Sequence, residues 1–186
     1  MTLGEGKEKV LKLLDEYSSG GEVTLDEDIA HKMATFFDTA QKEMAGHSRI
    51  IRETKITLDG TAKTHEMPED FSGVFRIWRN GSLTQRYAFR GKKLEAPAGD
   101  TADLVVEYFA VPKTINADTL DNYVFEVSEE AANCLPFFVA AQHLLPDLVV
   151  DYSVFWDIYI SMRAALDVTL PSSGGAAVRQ TLFRRW

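Results

Sequence analysis

At 186 residues, 45% hydrophobic and 26% charged, the chain has the size of one domain and enough apolar side chains to bury a core, which excludes wholesale disorder. Its 20 basic and 28 acidic residues leave a net charge of −8, which disfavours tight, non-specific binding of nucleic acid. The single cysteine, Cys134, excludes an internal disulfide and a cysteine-based zinc site.

The first segment, Leu3 to Tyr17, reads as a helix, with Val10, Leu11, Leu14 and Tyr17 at spacings of three to four residues. Ser18-Ser19-Gly20-Gly21 breaks it. Thr24 with Glu27 is a capping-box pattern, and Leu25, Ile29, Met33, Phe36, Phe37, Ala40 and Met44 then trace one apolar face to about Ala45. The two segments are expected to form an antiparallel helical hairpin. From Arg49 the period becomes alternating. Arg49–Leu58 and Thr61–Glu66 flank Asp59-Gly60, and Gly73–Arg79 and Ser82–Arg90 flank Asn80-Gly81, both hairpin-turn dipeptides. Gly91–Glu95 and Leu104–Val111 add strands, predicting one small antiparallel sheet of about five or six strands. Beyond a loop from Lys113 to about Glu126, Ser128 caps a helix that runs to about Leu145 with Pro136 inside it, where a bend is expected. A last helix spans about Tyr152 to Val168. Pro171-Ser-Ser-Gly-Gly175 separates it from a tail, Ala176–Trp186.

The expected fold is α+β: a helical bundle from the N- and C-terminal helix pairs, with an inserted small antiparallel β-sheet and a C-terminal tail. In this reading residues 1–170 form a single domain, with helices at about 3–45 and 128–168 and the β insertion at about 49–112. Residues 171–186 form a flexible tail. No apolar run approaches the roughly 20 residues that span a bilayer. The N-terminus lacks the basic-then-apolar order of a signal peptide, so a soluble intracellular product is expected.

No constellation of residues argues for an enzyme. Glu27 and His31 stand at i,i+4, but the second histidine of a metalloprotease helix is missing. His47, His65 and His143 have no ligand spacing among them. Gly91-Lys92-Lys93 lacks both the preceding glycine and the Ser/Thr of a phosphate loop. There is no GxSxG elbow and no GxGxxG after a strand. Cys134 lies among core-like residues and reads as an inert thiol. No catalytic residue, metal or cofactor is expected.

Charge distribution is more informative. Residues 1–48 carry a net −5 and residues 113–170 a net −7, whereas Phe71–Leu94 has six bases and no acid. With a two-residue turn at Asn80-Gly81, both faces of that hairpin mix large apolar groups with arginine or polar residues, so Arg76, Trp78, Arg79 and Arg86 are candidates for a contact with a neighbouring subunit or with DNA; the alternative is a solvated basic face with its aliphatic stems laid on the sheet. The tail is the second candidate. Leu182, Phe183, Arg184, Arg185 and Trp186 combine aromatics and arginines of the kind enriched at binding hot spots.

Several motifs in order carry a resemblance. Glu66-Met-Pro-Glu-Asp-Phe71, the Gly73–Ser82 strand and turn with its Trp-Arg-Asn-Gly, Leu104-Val-Val-Glu-Tyr-Phe-Ala-Val-Pro112, and Glu129–Leu145 with Leu135-Pro-Phe-Phe-Val-Ala-Ala141 follow one another as in the head-to-tail connector (adaptor) proteins of tailed bacteriophages, and the chain resembles that family over most of its length. The resemblance implies a structural virion protein without catalytic residues. It implies a homo-oligomeric ring, typically of twelve copies, beneath the portal protein and joined to tail or neck proteins. DNA passes through such a ring without specific binding, and no membrane is involved. The implied location is the head-tail junction of the virion, and the host cytoplasm during assembly. Other readings are another ring component, such as a tail terminator or tube protein, and an α+β ligand-binding module outside any phage.

Overall fold

The computed structural model describes residues 1–17, 27–144 and 153–169. The Thr24 cap, the Pro171–Gly175 stretch and the whole tail to Trp186 lie outside the described residues, as do the side chains of Glu27 and His143. The chain divides into two compact units, one built from residues 1–49 and 112–170 and the other centred on residues 50–111.

Among the described residues the first unit holds four helices: α1 (Leu3–Tyr17), α2 (Glu27–Ser48), α3 (Glu129–Leu144) and α4 (Ser153–Thr169). α1 starts at a reciprocal cap. The Thr2 N–H donates to Glu5 Oε2 at 2.8 Å, and the Glu5 N–H donates to Thr2 Oγ1 at 3.2 Å. α3 starts where Ser128 Oγ accepts the Ala131 N–H at 3.2 Å. The expected hairpin of α1 on α2 is not the organising contact: α1, α2 and α4 each pack on α3. The reason lies in α3, whose Ala131, Ala132, Cys134, Leu135, Phe138, Val139, Ala140 and Ala141 are buried on more than one side. Its alanines admit neighbours closely. A helix that is apolar nearly all round belongs at the centre of a unit. α3 continues through Pro136, which is buried.

Among the described residues the second unit contains seven strands: β1 (Ile51–Asp59), β2 (Thr64–Glu66), β3 (Phe71–Arg79), β4 (Ser82–Thr84), β5 (Ala88–Arg90), β6 (Lys93–Glu95) and β7 (Thr101–Ala110). They make two antiparallel sheets, ordered β1-β7-β3-β4 and β2-β6-β5. Leu58, Ile77, Leu104, Val106 and Tyr108 of the first sheet bury a core with Met67, Tyr87 and Leu94 from around the second.

These observations correct the expected fold. The chain is mixed α+β, but it is not a helical bundle carrying one small sheet. Four helices and two antiparallel sheets are present among the described residues, and each unit has its own hydrophobic cluster. The single-sheet expectation fails at two turns. At Asp59-Gly60 the turn forms, with Gly60 at φ 78° and the Thr61 N–H donating to Asp59 Oδ1 at 2.9 Å. The chain then leaves β1, which pairs along its whole length with β7, while β2 pairs with β6. At Asn80-Gly81 the hairpin does form, with Arg79 opposite Ser82, Trp78 opposite Leu83 and Ile77 opposite Thr84. The expected strand Ser82–Arg90 divides after Thr84 and resumes as β5 in the other sheet. A second strand from far along the sequence supplies more cross-strand apolar contact than the local return could.

Candidate functional site

The basic hairpin and the strand it lies beside define the candidate interface. Strand alternation sends Ile77, Val106, Tyr108 and Leu104 into the core and leaves Trp78, Val105, Glu107 and Phe109 on the other face of the four-stranded sheet. Cross-strand register places Trp78 between Leu83 and Val105, Arg76 beside Glu107, and Phe109 between Ile51 and Gly73. The ladder shifts register between Val74 and Arg76, a bulge that puts two consecutive side chains, Phe75 and Arg76, near this face. Gly73 has no side chain to set against Phe109, and the Phe75 ring stands 5.4 Å from the Phe109 ring. The Arg76 guanidinium lies 4.4 Å from the Phe75 ring centre, a cation–π contact. Trp78 Nε1 donates to Glu107 Oε1 at 3.0 Å. Leu83 is 51% exposed and Ile51 47%. The face is therefore aromatic and aliphatic along β3, β4 and β7, with the exposed Glu53 and Lys55 of β1 beside Glu107 and Val105.

The four residues singled out from the sequence separate into different roles. Arg76 and Trp78 lie on this face, and Arg86 is exposed beyond β4. Arg79 turns into the unit. Its Nη2 donates to Asp100 Oδ1 at 2.8 Å and its Nε to the Tyr87 hydroxyl at 3.1 Å, while that hydroxyl donates to Asp100 Oδ2 at 2.8 Å. The Arg79 hydrogen bond, then that of Tyr87, holds the Asp100 carboxyl below its ordinary range. The Asp100 contact in turn raises Arg79, and burial, with Asp100 second, raises Tyr87. This triad clamps the hairpin base to the loop before β7. A similar one joins Arg52, Asp70 and Tyr108: Arg52 Nη1 donates to Asp70 Oδ2 at 2.5 Å and the Tyr108 hydroxyl to Asp70 Oδ1 at 3.0 Å.

The acid-free run of the sequence is not acid-free in space. Lys93 meets Glu66 at 2.6 Å, Arg90 meets Glu95 at 3.1 Å, and Lys92 donates to the Glu69 carbonyl. Pairing across the second sheet thus absorbs much of a positive charge that looked continuous in the sequence. What sequence reasoning missed was the contribution of β7. The alternation Val105, Glu107, Phe109 is legible in Leu104–Ala110, but only the register shows which strand it lies beside.

The tail residues Leu182, Phe183, Arg184, Arg185 and Trp186 lie outside the described residues. Among the described residues no group of three His, Cys, Asp or Glu side chains is arranged to hold a metal ion. His31 is exposed, and Cys134 is buried, its thiol pKa pushed up by desolvation. No helix among the described residues is long and apolar enough to cross a membrane. No family model matches the chain, and no curated protein matches it in sequence.

Proposed function

We propose that the protein is a structural component of a tailed-phage particle, a head-to-tail connector that forms a ring below the portal, joins capsid to tail and surrounds the DNA channel. The observation that carries this reading is the outer sheet face, where Phe75, Trp78, Leu83, Val105 and Phe109 share one surface with Arg76 and Glu107. An apolar surface with a few fixed charges suits a protein interface. Ring closure needs a heterologous contact, in which this surface meets a different one on the next copy. The net −5 and −7 of the helical segments before and after it in the sequence offer charge complementary to the exposed Arg86. The ordered motifs from Glu66 to Ala141 support the same family. An acidic body also suits a channel that lets DNA slide. Leu182, Phe183, Arg184, Arg185 and Trp186 serve in this reading as the anchor on the portal.

The test is assembly. The purified protein is expected to form rings by negative-stain microscopy, alone or with portal protein. Leu83→Glu and Arg86→Glu, both at exposed positions, are expected to weaken rings while circular dichroism stays unchanged. Rings of undiminished yield in both variants would exclude this face as the subunit contact. A protein that stays monomeric with its portal would exclude the connector reading.

A further inference from the structure

β1 is an edge strand: among the described residues its strand partner is β7 alone. Its register with β7 decides which main-chain groups face which way. The Ala110 N–H donates to the Ile50 carbonyl at 2.9 Å, one step before the Ile51–Phe109 pair. Arg52, Thr54, Ile56 and Leu58 therefore turn their main-chain groups toward β7, because hydrogen-bonded and non-hydrogen-bonded pairs alternate along an antiparallel ladder. Those of Ile51, Glu53, Lys55, Thr57 and Asp59 point to the edge that no described strand covers. The side chains of the same five residues are exposed. A strand edge in this state templates an extended segment of another chain.

We infer that this edge pairs antiparallel with β1 of a second copy of the chain, about a twofold axis through Thr54. The charges identify the occupant. In this register Glu53 of each copy stands opposite Lys55 of the other, Ile51 stands opposite Thr57, and the two Thr54 side chains meet at the axis. Opposite charges and Thr–Thr pairs directly across a strand pair stabilise it, and like charges do the reverse. The Glu53–Lys55 and Ile51–Thr57 pairs join residues whose main-chain groups both point outward, so each pair can exchange two N–H···O bonds. Neighbouring registers lose this match. An axis through Glu53 or Lys55 sets that residue against its own copy, and one through Ile56 sets Glu53 against Asp59. An axis through Arg52 shortens the ladder to Ile51–Glu53. An axis through Thr57 pairs Lys55 with Asp59, but the ladder shortens to Lys55–Asp59, and Asp59 Oδ1 already accepts from Thr61 and Ala62. An axis between two residues would set an inward side chain opposite an outward one.

The contact is isologous and closes a pair, whereas a connector ring closes through a heterologous contact. The inference therefore goes beyond the connector reading and does not rest on it. The ladder from Ile51 to Thr57 is short beside the roughly 20–30 residues a side of a standard interface, so the pair forms and separates with concentration.

The test follows the full chain by sedimentation velocity over a dilution series. Lys55→Glu and Glu53→Lys each set two like-charged pairs across the axis, and each is expected to weaken the dimer about tenfold. An equimolar mixture of the two variants restores both ion pairs and is expected to dimerise as the wild type does. A wild-type chain that stays monomeric at about 1 mM, or dimerisation that ignores both substitutions, overturns the proposal. Mild oxidation of Thr54→Cys gives a second reading that works inside any larger assembly. Cα atoms in a non-hydrogen-bonded pair lie about 4.5 Å apart, within reach of a disulfide. A band at dimer mass on a non-reducing denaturing gel is expected, with the wild-type chain and its buried Cys134 as the reference. No such band, or a stronger one from Thr57→Cys, overturns the Thr54 axis. Rings without this cross-link would leave the connector reading standing without the pair, and the cross-link without rings would leave the pair standing without the connector.

Discussion

Two polar residues show how much of this fold rests on single side chains. Gln41 is fully buried on α2. Its Nε2 donates to the Lys113 carbonyl at 3.1 Å, and its Oε1 accepts from the Glu126 N–H at 2.9 Å and the Tyr123 hydroxyl at 3.2 Å. It holds both ends of the 113–126 loop. Gln41→Leu keeps the bulk but strands a backbone N–H and a carbonyl, at about 1–3 kcal/mol for each group left unsatisfied. A lowered urea midpoint with an unchanged slope is the expected result. Asp100 acts in the second unit. Its folded pKa lies below the ordinary 3.8, chiefly through Arg79, so its stabilisation is complete above that value and is lost as pH falls through the lower folded one. Asp100→Asn is expected to lower the melting temperature at pH 7 and to flatten the acid limb below about pH 4. A melting profile recorded between pH 2 and pH 7 checks both.

At the scale of elements, the β3–β4 hairpin depends on backbone geometry at its turn. Asn80 has φ 49° and Gly81 φ 80°, the left-handed pair that a two-residue turn requires. Asn80 also anchors the turn to β7. Its N–H donates to the Asp103 carbonyl at 2.9 Å, and its Oδ1 accepts the Asp103 N–H at 3.0 Å. Gly81 has open space where a side chain would start, so a substitution there tests conformation alone. Gly81→Val is expected to cost roughly 1–3 kcal/mol from the strained φ, read as a lower melting temperature and faster exchange at Ser82–Thr84. α1 depends on a different kind of glycine. At Gly6 a Cβ would stand 3.0 Å from the Phe37 ring, so α1 approaches α2 there because a side chain is missing.

At the scale of the molecule, the two hydrophobic clusters share no residue, and each unit carries one described tryptophan, Trp156 on α4 and Trp78 on β3. Ile77 is fully buried in the β cluster. Ile77→Ala removes three methylene-sized groups from it, at about 2–5 kcal/mol. With Trp186 replaced by Phe, and either Trp78 or Trp156 kept as the sole reporter, the Trp78 transition is expected to move further than the Trp156 transition. Equal movement would mean that the two clusters unfold as one.

Helix positions on α1, α2, α3 and α4 were legible in the amino-acid sequence, because apolar spacing near 3.6 and capping residues such as Ser128 are local signals. The turn at Asn80-Gly81 was legible for the same reason. The break of Ser82–Arg90 into β4 and β5 was not, since the choice of partner strand is made by cross-strand packing at long range. β1 illustrates this best. Asp59-Gly60 reads as a hairpin turn and does turn the chain, yet nine residues of β7 offer β1 a longer ladder and a shared buried face than the three residues of β2 could. Gln41 looks like a surface residue on a helix, and only the loop folded over it makes it a buried one. The candidate interface divides in the same way. Arg76, Trp78, Arg79 and Arg86 could be picked out by composition, but the sequence by itself determined only that bulk and charge coincide there. The tertiary structure decided that Arg79 belongs to an internal clamp while Arg76 and Trp78 share a face with Glu107 and Phe109, because alternation assigns a residue to a side and only register tells what stands beside it.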